Sequence, residues 1–433
     1  MLKVRDTDSL VTRKETTDDQ QDDPAGDTPE ERPSPVAVRD VETVPNQAVY
    51  MDSPVLSAVN QIRPFFESGA YGKSDTPLLL RHRALIRMQR LFSRLPSDLD
   101  VRPVSSGANG TRFPLRPGGV LFYPYNSQSN LETVANRSFR HVLTLHGESN
   151  KGASVRPAAR MYDYVSIAGP LARDRYLEAG IFTASDVDQG RLVMMGDTFV
   201  QSMPWIKPMR ITDTAPVIFY SPTWEGYGGE ADNYSSVVGL RGFMAVLKAA
   251  RALDLHRVVV KPHPYLGMLR PAMVREFISG IRLLRRSGLQ VAVVLRNASL
   301  QLRFGCHTQL SRLVTIEEDD SAPVAVALAL CDISGMEAIF LKQRIRHMVL
   351  ARESDVPRGL ETIYEHKSIM SHQDPETAVM DYLNGADETD AAHRKMVFGW
   401  QNPELEGMSA SSARRWMIDY VGRDPFWSQA KSI

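Results

Sequence analysis

Cysteine is almost absent: Cys306 and Cys331 are the only two in 433 residues. They cannot make a disulfide framework, so a reducing interior suits the chain. No apolar run approaches the roughly 18 residues that a membrane span requires. The longest candidate, Pro323 to Cys331, reads as a buried helix or strand. The first residues lack an apolar signal core behind a basic start. A cytoplasmic protein is expected, or one held peripherally on the inner face of the cell membrane. Charge of one sign is lacking too, since 51 basic residues balance 51 acidic ones. That leaves no global field to recruit nucleic acid, which is not expected as a partner. A P-loop, a dinucleotide-binding glycine pattern, a nucleophile elbow and a zinc-spaced Cys/His set are all missing. Redox, ATP-driven and metallohydrolase chemistry lose ground; no metal site and no cofactor are expected.

What remains is a globular composition, 43% hydrophobic and 24% charged, long enough for two domains plus tails. Residues 1–46 hold twelve acidic against six basic side chains and no aromatic ring. Such a segment buries too little apolar surface to offset its ordering entropy, and disorder is expected. A first α/β domain is expected over 47–210, with strands at Val120–Tyr123, Val142–Leu145, Tyr164–Ile167 and Leu192–Met195. The spacing predicts helices over Leu78–Leu95 and Leu171–Ala179. The proline-spaced stretch Met203–Pro216 reads as a hinge. A second α/β domain, 211–390, is expected to carry strands Val217–Tyr220, Val258–Val260, Val291–Leu295 and Ile345–Leu350. Its helices should lie near Ser236–Leu253, Pro271–Arg286 and Val324–Leu330. A helical segment, 391–433, would pack across the domains. Strands alternating with helices imply parallel sheets. Two such Rossmann-like domains facing across a cleft make the GT-B-like arrangement.

Four motifs fall where an apolar run gives way to small or turn-forming residues, as at the carboxyl end of a strand, where open α/β sheets bind ligands. They are His146-Gly147-Glu148-Ser149-Asn150-Lys151, Ser221-Pro222-Thr223-Trp224, Lys261-Pro262-His263-Pro264 and Cys331-Asp332-Ile333-Ser334-Gly335. His146 can aim into the cleft after Gly147 turns the backbone, and an imidazole there can take a proton from a hydroxyl. The alternative is a histidine that merely caps its strand; Gly147 and Lys151 favour function. Lys261 and His263, stiffened by Pro262 and Pro264, present two donors that suit a diphosphate gaining charge as a group departs. The alternative is a rigid surface loop. Ser334 or Asp332 can cap a helix whose free amides at Ser334, Gly335 and Met336 would face an anion; an ordinary cap is the plainer reading. Glu337 reads two ways, as an acceptor for ribose hydroxyls or as a complement to the helix dipole. Thr223 can donate to phosphate, whereas Trp224 reads as a core residue. Arg83, Arg87, Arg90 and Arg94 form a basic stripe that serves as a solvated face or grips anionic lipid or a polyanion. Arg282, Arg285 and Arg286 are a weaker cluster of the same kind.

In this order the motifs, with Tyr162-Asp163-Tyr164 and Ala168-Gly169-Pro170 between the first two, resemble the CDP-glycerol glycerophosphotransferase family of teichoic-acid primases and polymerases. The short actinobacterial type is especially similar. The likeness runs over about residues 118–420 and fades near Arg414 and Arg415. It implies transfer of glycerol phosphate, or a similar polyol phosphate, from CDP-glycerol to a hydroxyl of a lipid-linked or polymeric acceptor, with release of CMP. The first domain would then be the acceptor side and the second the nucleotide-donor side. His146 would be the base. His263, Thr223, Ser334 and the Gly335 amide would hold the diphosphate, with Lys261, Asp332 and Glu337 in the donor site and Gly147 and Lys151 in support. Three positions depart from the family: Glu225 where arginine is usual, Gly335 for a second serine, and Gly196-Asp197-Thr198 for a glycine-proline-arginine turn. Two other readings stay open: a glycosyltransferase using a nucleotide sugar, and a non-catalytic, degenerate relative.

Overall fold

Short apolar runs become strands, and they pair in parallel in two separate sheets. The computed structural model describes residues 44–52, 56–81, 99–104, 113–151, 155–226, 234–316 and 323–424. Nearly all of the expected acidic tail lies outside the described residues. So does the whole stripe of Arg83, Arg87, Arg90 and Arg94.

The first sheet contains β1 (Gln47–Met51), β2 (Leu78–Leu80), β3 (Val101–Pro103), β4 (Val120–Tyr123), β5 (Arg140–Leu143), β6 (Tyr164–Ile167) and β7 (Leu192–Met194). Their order is β3-β2-β1-β4-β5-β6-β7. The second contains β8 (Ile206–Pro208), β9 (Val217–Ser221), β10 (Arg257–Val260), β11 (Gln290–Val293), β12 (Val314–Thr315), β13 (Val324–Asp332), β14 (His347–Ala351) and β15 (Ser368–Met370). Their order is β12-β11-β10-β9-β13-β14-β15, with β8 beside the start of β13. Side chains of a strand alternate between faces. Val120 and Phe122 accordingly enter one core while Leu121 and Tyr123 enter another. Ile218 and Tyr220 divide from Val217 and Phe219 in the same way. Apolar packing on both faces of each parallel sheet is what makes its strands read as unbroken hydrophobic runs.

The helices are α1 (Leu56–Glu67), α2 (Leu131–Val134), α3 (Pro170–Glu178), α4 (Ala184–Asp188), α5 (Arg241–Ala252), α6 (Pro271–Arg286), α7 (Leu300–Gln309), α8 (Gly335–Gln343), α9 (Glu361–Lys367), α10 (Pro375–Val397) and α11 (Ala410–Gly422). None is long and apolar enough to cross a membrane among the described residues. Two α/β sheets of this kind are the expected GT-B-like architecture.

Several expectations need correction. Val324–Leu330, expected as a helix, is most of β13, a central strand bonded to β8, β9 and β14. Leu78–Leu80 begins no helix; it pairs between β1 and β3. The hinge stretch already supplies β8, where Ile206 pairs with Val324. The second domain therefore starts before 211. It also runs past 390, because α10 continues to Val397. Beyond that point the chain returns to the first sheet. Gly399 donates to the Ala168 carbonyl, Gln401 to that of Met194, and Trp400 bridges Met195. Gly196 has φ +55, and a side-chain carbon there would sit 2.2 Å from the Trp400 ring, so only glycine fits. Met417 and Val421 of α11 then bury into the core of the first sheet.

Candidate functional site

The first motif leaves β5 through a sharp turn. Leu145 has φ +58 and Gly147 φ +143; the latter is a backbone conformation that glycine favours. Between them His146 is pinned. Its Nδ1 is 2.9 Å from the Pro124 carbonyl oxygen, and its ring stacks on Tyr125 at 4.4 Å. A carbonyl only accepts, so Nδ1 carries the proton and Nε2 keeps its lone pair. Burial holds the pKa of His146 below the usual histidine value, opposed by the Pro124 bond. A shallow pocket lies next to this turn, bordered by Thr144, Gly147, Glu148, Ser166 and Phe199.

His263 has the opposite tautomer. Its Nδ1 accepts from the Tyr265 amide at 3.1 Å, which leaves Nε2 as the donor of the neutral ring. The ring lies nearly parallel to Trp224, 14° apart at 5.7 Å. Trp224 was expected in the core; it packs against the core and also backs this imidazole. Burial pushes the pKa of His263 well down, helped by the positive charges of Lys151, Lys261 and His146. His146 and Lys151 come from the first half of the chain, and the Lys151–Thr223 bond holds their loop beside the one that leads to Trp224 and His263.

Lys151 reaches across to the second half, with Nζ donating to Thr223 Oγ1 at 2.8 Å and lying 5.4 Å from the Tyr234 ring centre. Burial lowers its pKa to about 8, against the attraction of Asp332. Ser334 caps α8 by accepting from the Met336 amide at 3.4 Å. Gly335 sits so close to the first motif that a side-chain carbon would be 3.3 Å from the Glu148 carbonyl oxygen. The amino end of α8 thus abuts the loop that carries His146. Lys261 follows β10, its amide bonded to the Tyr220 carbonyl and its own carbonyl accepting from Ser221 Oγ.

Two of the expected donor-binding residues are placed differently. Asp332 is fully buried and points beneath the site. Its carboxylate accepts from the Thr223 amide at 2.7 Å and the Ser236 amide at 3.1 Å. Burial raises its pKa to about 6 against those bonds. It therefore shapes the Thr223 loop through its backbone amides. Glu337 is 2% exposed and has both oxygens engaged. Asn150 donates to one at 2.9 Å and the Tyr364 hydroxyl to the other at 2.8 Å. His393 Nε2 lies 3.1 Å from Glu337 Oε1 without hydrogen-bond alignment. Arg175 completes the chain, donating to Glu148 and to Asn150. Glu337 is thus a tie between the two halves, and no ribose hydroxyl is needed to satisfy it.

Glu225 is the residue whose use was least foreseeable. Its buried carboxylate accepts from three amides of the turn after His263: Gly267 at 3.0 Å, Leu269 at 2.9 Å and Arg270 at 2.9 Å. Ionised carboxylates are strong acceptors from backbone amides. This acid therefore braces the loop that presents His263. Cys306 and Cys331 are both buried free thiols, and burial raises Cys306 to about 12. Among the described residues no group of three or more His, Cys, Asp or Glu side chains could hold a metal ion.

No family model matches the chain, and no curated protein matches it in sequence. Solved structures resemble it at low similarity. A UDP-N-acetylglucosamine 2-epimerase from Rickettsia bellii has 10% identity and a TM-score of 0.45, covering 88% of this chain and 99% of its own. Anabaena Alr3699/HepE in complex with UDP and glucose has 9% identity and a TM-score of 0.43, covering 89% and 99%. A Thermobaculum terrenum O-GlcNAc transferase mutant has 16% identity and a TM-score of 0.37, covering 92% and 71%.

Proposed function

We propose that this chain is a phosphotransferase that moves glycerol phosphate, or a similar polyol phosphate, from CDP-glycerol to an acceptor hydroxyl and releases CMP. The observation that carries the reading is that His146 and His263 hold opposite tautomers on loops of the two halves that the Lys151–Thr223 bond ties together. One ring offers a lone pair and the other a proton. The acceptor oxygen would attack the phosphorus bearing glycerol while its proton passes to His146 Nε2. The bond from that phosphorus to the bridging oxygen breaks, and CMP leaves with the electron pair. His263 Nε2–H, the Lys151 ammonium and the amino end of α8 would meet the growing charge. The order of the four motifs supports CDP-glycerol as donor and a lipid-linked or polymer hydroxyl as acceptor, in teichoic-acid-like envelope synthesis.

The test is CMP release from CDP-glycerol in the presence of a lipid-linked polyol acceptor, with UDP- and GDP-sugars in parallel. Wild-type release that disappears in His146→Ala supports the proposal. Turnover of a nucleotide sugar alone, or no turnover of any donor, contradicts it.

A further inference from the structure

Residues 261–312 carry nine lysines and arginines against one acid, Glu276, within a chain that is neutral overall; acidic residues resume only at Glu317. Glu276 is occupied, accepting from the Gly239 amide. Many arginines elsewhere are ion-paired, as at Arg81, Arg160, Arg175, Arg191, Arg352 and Arg414. Here Arg270, Arg275, Arg303 and Arg312 have no ion-pair partner among the described residues.

Large apolar side chains stand exposed among them. Leu300 and Phe304, one turn apart on α7, are 76% and 73% exposed, and Met268 and Leu269 are about half exposed. The stretches that carry them are neighbours. Ser299 at the start of α7 donates to the Leu266 carbonyl. Side-chain carbons placed on Gly267 and Gly305 would both meet Val274 of α6. The turn is also held: Glu225 fixes the amides of Gly267, Leu269 and Arg270. Fixed apolar tips lose little freedom when they insert.

We infer that the turn 267–270 and the exposed face of α7 dock on the surface of an anionic phospholipid bilayer. Apolar side chains enter the headgroup boundary while unpaired arginines meet lipid phosphates, the pattern that interfacial elements use. A polyanion such as nucleic acid has use for the arginines and could stack a base on Phe304, but has none for the exposed aliphatic tips of Leu300, Met268 and Leu269. The turn continues directly from His263, so docking brings the rim of the site to the bilayer, where a lipid-linked acceptor resides. That last link rests on the proposed function; the docking itself does not.

The experiment is flotation of the full chain with vesicles of phosphatidylglycerol and phosphatidylcholine in equal parts, and with phosphatidylcholine alone. The expected result is binding to the anionic vesicles only, weakened about tenfold or more by Leu300→Ser with Phe304→Ser. Arg275→Gln with Arg303→Gln should weaken it comparably and flatten its salt dependence. Because all four side chains are on the surface, the thermal midpoint should not move. No binding to anionic vesicles, or binding unchanged in both variants, would overturn the inference. So would sedimentation showing that the patch holds two copies of the chain together. Nucleotide turnover on a soluble acceptor is read separately. Vesicle binding lost with turnover kept bears on the surface alone, and the reverse bears on the chemistry alone.

Discussion

Lys151 donates to Thr223 across the two halves of the chain, with Nζ 2.8 Å from Oγ1. Burial has brought its pKa down to about 8 from the usual lysine range. An anion beside the ammonium would restore its proton, so binding and protonation are linked. Affinity for CDP should fall as pH rises through about 8. Calorimetry at pH 8 in two buffers of different ionisation heat should register proton uptake. Lys151→Met should remove both effects and weaken binding by about tenfold or more. CDP binding with no pH dependence between 7 and 9 would contradict this role.

Without ligand the same lysine predicts a stability trend. A depressed lysine pKa means the unfolded chain binds the proton more tightly between pH about 8 and the usual lysine value near 10.5. The cost of the buried charge is present below pH 8 and is relieved above it. Wild-type stability relative to Lys151→Met should therefore rise over that interval, as read by urea melts.

Asp332 has the opposite sign. Its pKa of about 6 lies above the unfolded value, so the folded state holds the proton more tightly. Its contribution to stability is full below pH about 4, falls as pH rises to about 6, and is flat beyond. Asp332→Asn should abolish that slope in urea melts. Asp332→Ala should cost about 2–4 kcal/mol by stranding the Thr223 and Ser236 amides, and CDP binding should weaken with it. A melt curve for Asp332→Asn that keeps the wild-type slope would refute the assignment.

Glu225 should behave as a positioning residue for His263. Oε1 takes two of the three amides and Oε2 the third. Gln can keep the first two bonds and Ala none. Turnover should therefore rank wild type, then Glu225→Gln, then Glu225→Ala, with the last reduced about 100-fold or more. The loss should appear in kcat, and the pH profile should distort where the Tyr265 amide no longer sets the His263 tautomer. Equal activity in all three proteins would rule the brace out.

Much of the second half was legible in the sequence, because strands such as Val258–Val260 and helices such as Pro271–Arg286 have the right period and clear stops. β13 was not. Its alanine-rich run Val324-Ala325-Val326-Ala327-Leu328-Ala329-Leu330 suits either a buried helix or a central strand, and only its pairing with β8, β9 and β14 decides. The three-residue strands β2 and β3 are too short to show a period. At the site, the motifs marked the turns after the strands that carry His146, Lys151, Thr223 and His263, since strand ends and glycine turns are local signals; the contact of Lys151 with Thr223 joins two of them. The orientation of Asp332 and the ties of Glu337 were hidden. Asn150 and Glu337 are 187 positions apart, and a side chain's inward or outward aim depends on that distant partner. Glu225 reads from sequence only as a departure; its three bonds belong to a turn that begins 42 residues later.

The account stands on two imidazoles addressing one diphosphate, and histidine-selective ¹⁵N NMR during a CDP titration tests that most directly. Resonances would be assigned with His146→Gln and His263→Gln. Both rings should shift together at one CDP dissociation constant, with His263 Nε2 keeping its proton, while buried His141, His347 and His393 stay still. Saturating CDP that leaves either His146 or His263 unmoved would contradict the claim.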